Sequence, residues 1–420
     1  MSRRERGRLW SHRDFSRLWA GETVGWLTDS ISTLGIPTIA IMLFNAGPFE
    51  MGILNALEYL GYPTLGLFAG VWVDRWRRKP VLVWSTIIQA IALGSIPIAF
   101  LFRILSLDQL YLVTLIVSIT IVFFSMAYTA YLPTLIDRED LVEGNAKLET
   151  SESGAAVVSP SIAGSLIQIL GALSIAADAL STLIAAIAIA SIRKPEPPAP
   201  PKAQRHFWRE LREGLRSVSD TPSLRTIIVA TSILNVGNSM FYAVFFLFIY
   251  NELRISPQLA GIILSMGAVG YLIGAISAPT LLRRIGLGPA LIVALLIDGT
   301  GRLMIPTSIY GPGPILLAAF WLFANVGIPI YNINQVSFRQ TIVPDELQGR
   351  MNATMRTFGY GAFAAGALSG GLLGTAYGIV PTMITGAIIA LIAAPLIYAS
   401  PLAKLNEPWP TAPRKPNHTN

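Results

Sequence analysis

Long hydrophobic runs recur along the whole chain and are separated by short polar segments. Most of these runs reach about twenty residues, the length that an α-helix needs to cross a hydrocarbon core of ~30 Å. The sequence lacks the short alternating segments that are typical of a membrane β-barrel. Because helices satisfy their own backbone hydrogen bonds in lipid, we predict an all-α membrane protein. The twelve predicted spans are 15–43, 50–73, 81–102, 108–131, 150–171, 174–192, 225–250, 258–281, 288–309, 313–337, 353–375 and 380–399.

A segment of different composition divides the spans into two sets of six. It opens with prolines between Pro195 and Pro201, which favour an extended backbone. Apolar residues then recur at helical spacing among arginines, which predicts an amphipathic helix on the membrane surface. The tail is rich in proline, and we predict that it is disordered. The predicted domains are a six-helix bundle at 1–192, a linker at 193–224, a second six-helix bundle at 225–400 and a tail at 401–420.

The two sets of spans carry a matching segment at the same place. The segment LIDREDLVEGNA follows the fourth span at 135–146, and TIVPDELQGRMNA follows the tenth at 341–353. Both segments contain an acidic pair and a leucine, and both end on Asn-Ala. Parallel repeats of six spans predict a transporter with a binding site near the membrane midplane, between the two halves.

Composition limits the chemistry of the chain. Only 13% of its residues are charged, against ~25% in an average soluble protein, so most of the chain avoids water. Cysteine is absent, which excludes disulfides and thiolate-bound metals. The three histidines, His12, His206 and His418, lie outside the spans. We predict no cofactor and no metal site, so proton chemistry inside the membrane would have to use carboxylates.

The net charge of +7 is distributed unevenly across the predicted membrane. All lysines and arginines except Arg103, Arg254 and Arg302 are assigned to the loops on the side of the two termini. This asymmetry follows the positive-inside rule and predicts a multi-pass cell-membrane protein with both termini in the cytoplasm. The same placement explains the basic charge without a nucleic-acid partner.

The loop after the second span has the sequence GVWVDRWRRKP, from Gly70 to Pro80. It resembles the loop signature of the major facilitator superfamily. Together with the opening segment RDFSRLWAGETVGWLTDSIS at 13–32, it is similar to the drug:proton antiporter branch, which includes macrolide-efflux and enterobactin-exporter proteins. The resemblance covers residues 10–400 and implies the fold of that superfamily, with twelve helices in two bundles.

The resemblance assigns a conformational role to the loop signature. It implies that Asp74, followed by Arg75 and Arg78, interacts with the end of the eleventh helix and latches the cytoplasmic side closed. Gly66 and Gly70 are four residues apart and would allow close helix packing. The alternative is a loop whose basic residues only set the topology.

The fifth span carries a second motif. Gly154, Ser159, Pro160 and Gly164 resemble the antiporter motif of exporters, although the family usually has glycine at position 159. Proline removes one helical hydrogen bond and glycine permits close contact, so the helix can bend against its neighbour. The alternative is an ordinary kinked packing helix.

Three carboxylates are predicted inside the first two spans. An aspartate at the bilayer centre costs ~2.5–3.5 kcal/mol on insertion scales, so such groups usually face a polar cavity. Glu22 and Asp29 are two turns apart on one face of the first helix, and Glu58 lies in the second. We predict Asp29 as the first candidate for proton coupling, followed by Glu22 and Glu58. The alternative is a structural carboxylate that is hydrogen-bonded to a neighbouring helix.

Three other charged residues in the spans are predicted to be structural. Asp178 lies in the sixth span, and Asp298 and Arg302 lie in the ninth. Asp298 and Arg302 are four residues apart, so they can neutralise each other on one helix face.

Polar and aromatic residues at helical spacing predict the lining of a central cavity. Hydrogen bonds between packed helices are the alternative for each of them. The candidates are Trp26, Tyr62, Ser118, Ser125, Tyr128, Asn235, Asn238, Tyr242, Asn325, Asn332 and Gln335.

These features predict a secondary active transporter that is not an enzyme. We expect it to export a small amphipathic molecule, drug-like or siderophore-like, by alternating access with proton antiport, as a monomer among membrane lipids. No phosphate-binding motif of the Gly-x-x-x-x-Gly-Lys-Ser/Thr type occurs, which argues against ATP-driven transport. The alternatives are a facilitator or importer, an exporter of a metal ion or lysophospholipid, and a membrane sensor or scaffold that transports nothing.

Overall fold

A computed structural model describes residues 12–137, 140–196, 216 and 218–405, without the side chains at positions 67, 70, 71, 74, 75, 345 and 346. The described residues form helices and turns, and no strand occurs among them. The first-half helices are α1 Arg13–Phe44, α2 Pro48–Tyr59, α3 Gly61–Arg75, α4 Arg78–Leu101, α5 Leu107–Leu135, α6 Leu141–Leu170 and α7 Ile175–Ala190. The second-half helices are α8 Pro222–Leu247, α9 Pro257–Ile285, α10 Leu287–Met304, α11 Gly313–Ile342, α12 Asp345–Tyr377 and α13 Ile379–Tyr398.

The helices account for twelve membrane crossings. Nine helical runs in the described residues are long and apolar enough to cross a membrane. One of them, Leu141–Ala190, holds two crossings because a 3-10 turn at Gly171–Ser174 separates α6 from α7. Two further crossings are made by α12, which is less apolar, and by α2 and α3 together, which are each too short to cross alone. The predicted all-α fold with twelve spans is confirmed.

The outer surface of the helices is apolar. Large side chains such as Ile91, Ile187 and Ile276 are exposed on it. Contact with lipid tails makes this exposure favourable, whereas water would penalise it. We refer to the side of the membrane where α1 begins as the near face and to the opposite side as the far face.

Helix packing joins the first seven helices and the last six into two groups. In the first group α1 packs against α6 and α7, and α4 packs against α5 and α7. In the second group α8 packs against α12 and α13, and α11 packs against α9 and α10. Two large contacts connect the groups, one between α6 and α9 and one between α2 and α12. The gap between the groups is therefore bounded by helices from both halves.

The linker and the tail are described only in part. The amphipathic helix predicted in the linker lies mainly outside the described residues, as does the tail after Leu405. Pro401–Lys404 forms a 3-10 turn with buried Leu402, and the Leu405 carbonyl accepts a hydrogen bond from the Leu287 backbone at 3.0 Å. The prediction of disorder is therefore wrong for the start of the tail, because an apolar residue docks it on α10.

The second crossing is broken between α2 and α3. Pro63 has no N–H group and its ring clashes with the carbonyl four residues earlier, which ends the regular ladder. At this break the Ser118 hydroxyl of α5 bonds to two backbone groups: it accepts from the Gly61 N–H at 3.0 Å and donates to the Glu58 carbonyl at 2.7 Å. A Cβ atom on Gly61 would lie 2.6 Å from the Ser118 carbonyl oxygen, so this approach requires glycine.

We expect Ser118→Ala to lower the free energy of unfolding by about 1–3 kcal/mol, because two buried backbone groups lose their partner. Thr120→Val is the matched control, since the Thr120 hydroxyl bonds only to the Val117 carbonyl of its own helix. Thermal unfolding of both variants in detergent measures the difference. Equal stability of the two variants would contradict the role given to Ser118.

Candidate functional site

The three predicted coupling carboxylates have different surroundings. Glu22 is buried at 8% exposure, whereas Asp29 and Glu58 are exposed. Within the described residues, neither the Asp29 nor the Glu58 carboxylate accepts a hydrogen bond; only their backbone carbonyls do. Asp29 and Glu58 are close enough to repel each other. Both carboxylates are therefore exposed and unpaired, although they belong to membrane-spanning segments.

Two acids of α6 join this group. Glu149 and Glu152 are exposed and lie on one face, three residues apart. Glu152 interacts electrostatically with Glu149 and Asp29, and Glu22 interacts with Glu152. We call Glu22, Asp29, Glu58, Glu149 and Glu152 the acidic wall. Sequence reasoning missed both α6 members: Glu149 because the fifth span was begun at residue 150, whereas the helix begins at Leu141, and Glu152 although it lies inside that predicted span.

The second half provides a cavity of about 480 Å³. Helices α8, α11 and α12 line it, and four of the predicted cavity residues, Asn235, Asn238, Asn332 and Gln335, belong to its lining. Asn235 also donates to the Gly359 carbonyl at 3.1 Å, which ties α8 to α12. The Asn238 Oδ1 and Gln335 Oε1 atoms are buried without a hydrogen-bond partner.

Two arginines also line this cavity. Arg339 of α11 is buried at 8% exposure, and Arg356 of α12 is exposed. The sequence interpretation assigned both to a loop on the side of the termini, but the structure places them inside helices that border the gap. The tenth span was ended at residue 337, short of Arg339, whereas Arg356 was counted with the loop charges although it lies inside the predicted eleventh span.

Other predicted cavity residues lie elsewhere. Ser118 is used at the α2–α3 break, the Ser125 hydroxyl pairs with the Tyr62 hydroxyl at 2.8 Å, and Asn325 donates to the Trp321 carbonyl of its own helix at 2.7 Å. Trp26 and Tyr128 pack with the cluster around α1 and α5. The Tyr128 hydroxyl is buried without a partner and lies near Glu22.

Asp178 is fixed between α1 and α7. Its carboxylate accepts hydrogen bonds from Thr28, at 3.1 Å, and from Ser32. Ser181, on the next turn of α7, pairs with Thr28. These contacts suit a packing role, and the structural assignment of Asp178 stays a prediction.

Asp298 and Arg302 form a buried ion pair. The Arg302 Nε atom donates to Asp298 Oδ1 at 2.8 Å, and both side chains are at most 2% exposed. The guanidinium lies over the rings of Phe241 at 5.5 Å, Tyr242 at 5.1 Å and Trp321 at 5.8 Å. The pair is thus enclosed between α8, α10 and α11.

The two halves meet closely near the far face. A Cβ atom on Gly52 of α2 would lie 2.6 Å from the Gly371 Cα of α12, and one on Gly164 of α6 would lie 3.0 Å from the Gly261 Cα of α9. Glycine therefore permits both crossings. The Pro160 carbonyl faces Gly261, and the Ser159 hydroxyl accepts from the Ser30 backbone at 3.3 Å.

Aromatic rings continue this closure toward the middle of the membrane. Tyr59 stacks on Phe363 with ring centroids 4.6 Å apart, and Tyr62 stacks on Tyr360 at 4.1 Å. Such pairs contribute about 0.5–1.5 kcal/mol beyond their buried area. Arg356 lies beside this layer, with its guanidinium 5.8 Å from the centroid of the Tyr62 ring. The hydrogen bonds that join Thr38 to Tyr250, Ser161 to Ser265 and Ser239 to Asn55 across the halves all lie on the far-face side of the layer. The gap is closed at the far face and open at the near face.

The structure describes the side chains of only some of the loop-signature residues. The side chains of Asp74 and Arg75 and the surroundings of Gly70 lie outside the description, so the latch stays a prediction. The Arg78 backbone N–H donates to Glu196 at 2.7 Å, which ties the start of α4 to the linker. A Cβ atom on Gly66 would meet only Tyr62 of the same helix, at 3.5 Å, so Gly66 is not at a close helix crossing in this conformation.

Comparisons with known proteins agree with this architecture. The family model "Major Facilitator Superfamily" matches residues 18–362 and 227–419. Macrolide efflux protein A of Streptococcus pyogenes is 25% identical over 347 residues, covering 80% of this chain and 83% of that protein. Enterobactin exporter EntS of Escherichia coli O1:K1 / APEC is 26% identical over 364 residues, covering 82% of each.

A solved structure shares the fold. A bacterial homologue of the iron transporter ferroportin in its inward-facing state superposes with a TM-score of 0.72 at 17% identity, covering 92% of this chain and 98% of that chain. Its outward-facing state gives a TM-score of 0.59, covering 91% and 98%. The chain, a multi-pass membrane transporter related to efflux proteins, belongs to the major facilitator superfamily.

Proposed function

We propose that the chain exports a small amphipathic molecule from the cytoplasm in exchange for protons, by alternating access and as a monomer. The observation that carries this proposal is the pair Asp29 and Glu58, which are exposed and unpaired in a gap open at only one face. Keeping ionised groups in a membrane is costly unless water reaches them and their charge is used.

The direction of substrate transport is inferred from the membrane topology and from the names of the related proteins. The positive-inside distribution puts the near face in the cytoplasm, so the described conformation opens inward. The names of the related proteins, an efflux protein and an exporter, favour outward transport of the substrate. The close α6–α9 crossing at Gly164 suits alternating access, since it must separate each time the far face opens.

Protons can drive this cycle through the acidic wall. When the far face opens, protons from outside neutralise Asp29 and Glu58 and remove their mutual repulsion, which favours the return of the empty carrier. When the near face opens, the protons leave to the cytoplasm and the cavity accepts substrate. One proton moving down 100 mV supplies ~2.3 kcal/mol, and each pH unit supplies about 1.4 kcal/mol more.

We expect Asp29→Asn to abolish pH-driven transport, because the amide cannot carry the proton. Proteoliposomes with an acidic lumen and a pH difference of about one unit would be tested for uptake of erythromycin, fluorescein and a cationic rhodamine methyl ester. The wild type should accumulate at least one probe about tenfold under the gradient. The variant should retain only exchange that is independent of the gradient.

Asp108→Asn is the matched control, because Asp108 is exposed in the first turn of α5 at the far face. It should transport as the wild type does. Full pH-driven accumulation by Asp29→Asn, Glu58→Gln and the double variant would remove the acidic wall from the coupling scheme.

A further inference from the structure

The gap between the halves is lined by opposite charges. The acidic wall belongs entirely to α1, α2 and α6 of the first half. On the other side Arg339 and Arg356 project from α11 and α12 of the second half into the cavity. The proposed proton coupling uses the acidic wall and gives no role to the two arginines.

Neither guanidinium has an anionic partner within the described residues. The Arg339 Nε atom is buried without any hydrogen bond, and the side chain as a whole is more than nine-tenths buried. The two arginines are near enough to repel each other. A buried charge without a partner is costly, so an anion bound between them would relieve both desolvation and repulsion.

The internal repeat shows that this charge belongs to one half only. Aligning Asn145-Ala146 with Asn352-Ala353 places Glu149 at the position equivalent to Arg356. Repeat-related sites thus carry opposite charges on the two walls. A cavity with this polarity can distinguish the two ends of a charged molecule.

We propose that Arg339 and Arg356 bind the anionic group of the transported molecule, which makes amphipathic organic anions the substrate class. Guanidinium groups bind carboxylate, sulfonate and phosphate through paired, charge-assisted hydrogen bonds. The aromatic or apolar body of the substrate lies against Tyr360 and Phe363, which line the same cavity. Gln335, with its unpartnered Oε1 atom, accepts a donor group of the substrate. This inference rests on the proposed function and specifies its substrate.

Two dyes with the same three-ring scaffold test the inference. Fluorescein is anionic and the rhodamine methyl ester is cationic, so uptake into proteoliposomes compares charge at nearly constant shape. We expect the wild type to prefer fluorescein at least about tenfold, the size of a ~1.4 kcal/mol discrimination. Arg356→Gln and Arg339→Gln should remove this preference, and Arg356→Lys should retain part of it because the charge remains.

Arg283→Gln is the matched control, because Arg283 is exposed in the last turn of α9. Its dye preference should equal that of the wild type. Size-exclusion and thermal unfolding profiles ensure that the compared variants are folded.

Four results would overturn the inference: uptake of neither dye, equal uptake of both, preferred uptake of the rhodamine ester, or a fluorescein preference that survives in Arg356→Gln and Arg339→Gln. The last result, combined with a changed rate of maleimide labelling at a cysteine introduced in the cavity by Asn332→Cys, would mean that the arginines hold the halves together instead of binding substrate. Preferred uptake of the rhodamine ester that depends on Asp29 would preserve proton-coupled export and reject only the anionic substrate. A fluorescein preference together with unchanged pH-driven accumulation in Asp29→Asn would support the anionic substrate and reject coupling through Asp29.

Discussion

Gly164→Leu is expected to shift the transporter out of the conformation that opens at the near face. The Gly164 Cβ position overlaps the Pro257 carbonyl oxygen and lies 3.0 Å from the Gly261 Cα. These are backbone atoms, which cannot rotate away as a side chain can. Overpacking of this kind costs about 1–3 kcal/mol, and that free energy changes a two-state equilibrium by roughly 5–150-fold. Net transport should fall accordingly, since the far face can no longer close.

The absence of cysteine makes this shift easy to measure. Asn332 is exposed in the cavity, so Asn332→Cys introduces a single thiol there. A membrane-impermeant maleimide applied from the near face should label it rapidly in the parent protein. In the Gly164→Leu background the labelling rate should drop at least about fivefold, the lower end of the expected change in population.

Gly154→Leu provides the control on the same helix. A Cβ atom at Gly154 would meet nothing within 4 Å, so the added side chain has space in the described conformation. Labelling of Asn332→Cys should then proceed as in the parent. Equal labelling in both leucine variants would mean that the α6–α9 crossing does not control the near-face opening.

Hydropathy and charge distribution were sufficient to predict the architecture. Long apolar runs alone indicate helices in lipid, and the paired Asn-Ala segments indicate the repeat. The break between Tyr59 and Gly61 was missed, although Pro63 signals it, because the apolar run continues through the kink. The start of α6 was also placed too late, at residue 150 instead of Leu141, because its first turns are polar.

The candidate site was less predictable for a physical reason. Asp29 and Ser118 are both polar residues within predicted helices. The Asp29 side chain is exposed and unpaired, whereas the Ser118 side chain bridges the break between α2 and α3. The difference depends on which helix lies opposite, and helical spacing contains no such information. Arg356 was assigned to a loop because a charge near a span end follows the topology rule, whereas here it faces the gap.

The buried pair Asp298–Arg302 should produce the largest change in stability. Replacing Asp298 by leucine leaves the Arg302 guanidinium buried among three aromatic rings without its counter-charge. Breaking a buried pair in this way costs about 3–5 kcal/mol. Arg302→Met should cost less than Asp298→Leu, because a lone carboxylate can take up a proton whereas a guanidinium keeps its charge. Thermal unfolding of the single variants in detergent gives this order.

The double variant Asp298→Leu with Arg302→Met separates packing from charge. Replacing both partners by apolar residues of similar volume is often neutral, so the double variant should be more stable than either single one. If it also transports, the pair is structural, as its position on α10 between α8 and α11 predicts. Restored stability with no transport would instead show that the charges act in the cycle. Additive losses in the double variant would contradict the coupling of the two residues, whose Nε and Oδ1 atoms are 2.8 Å apart.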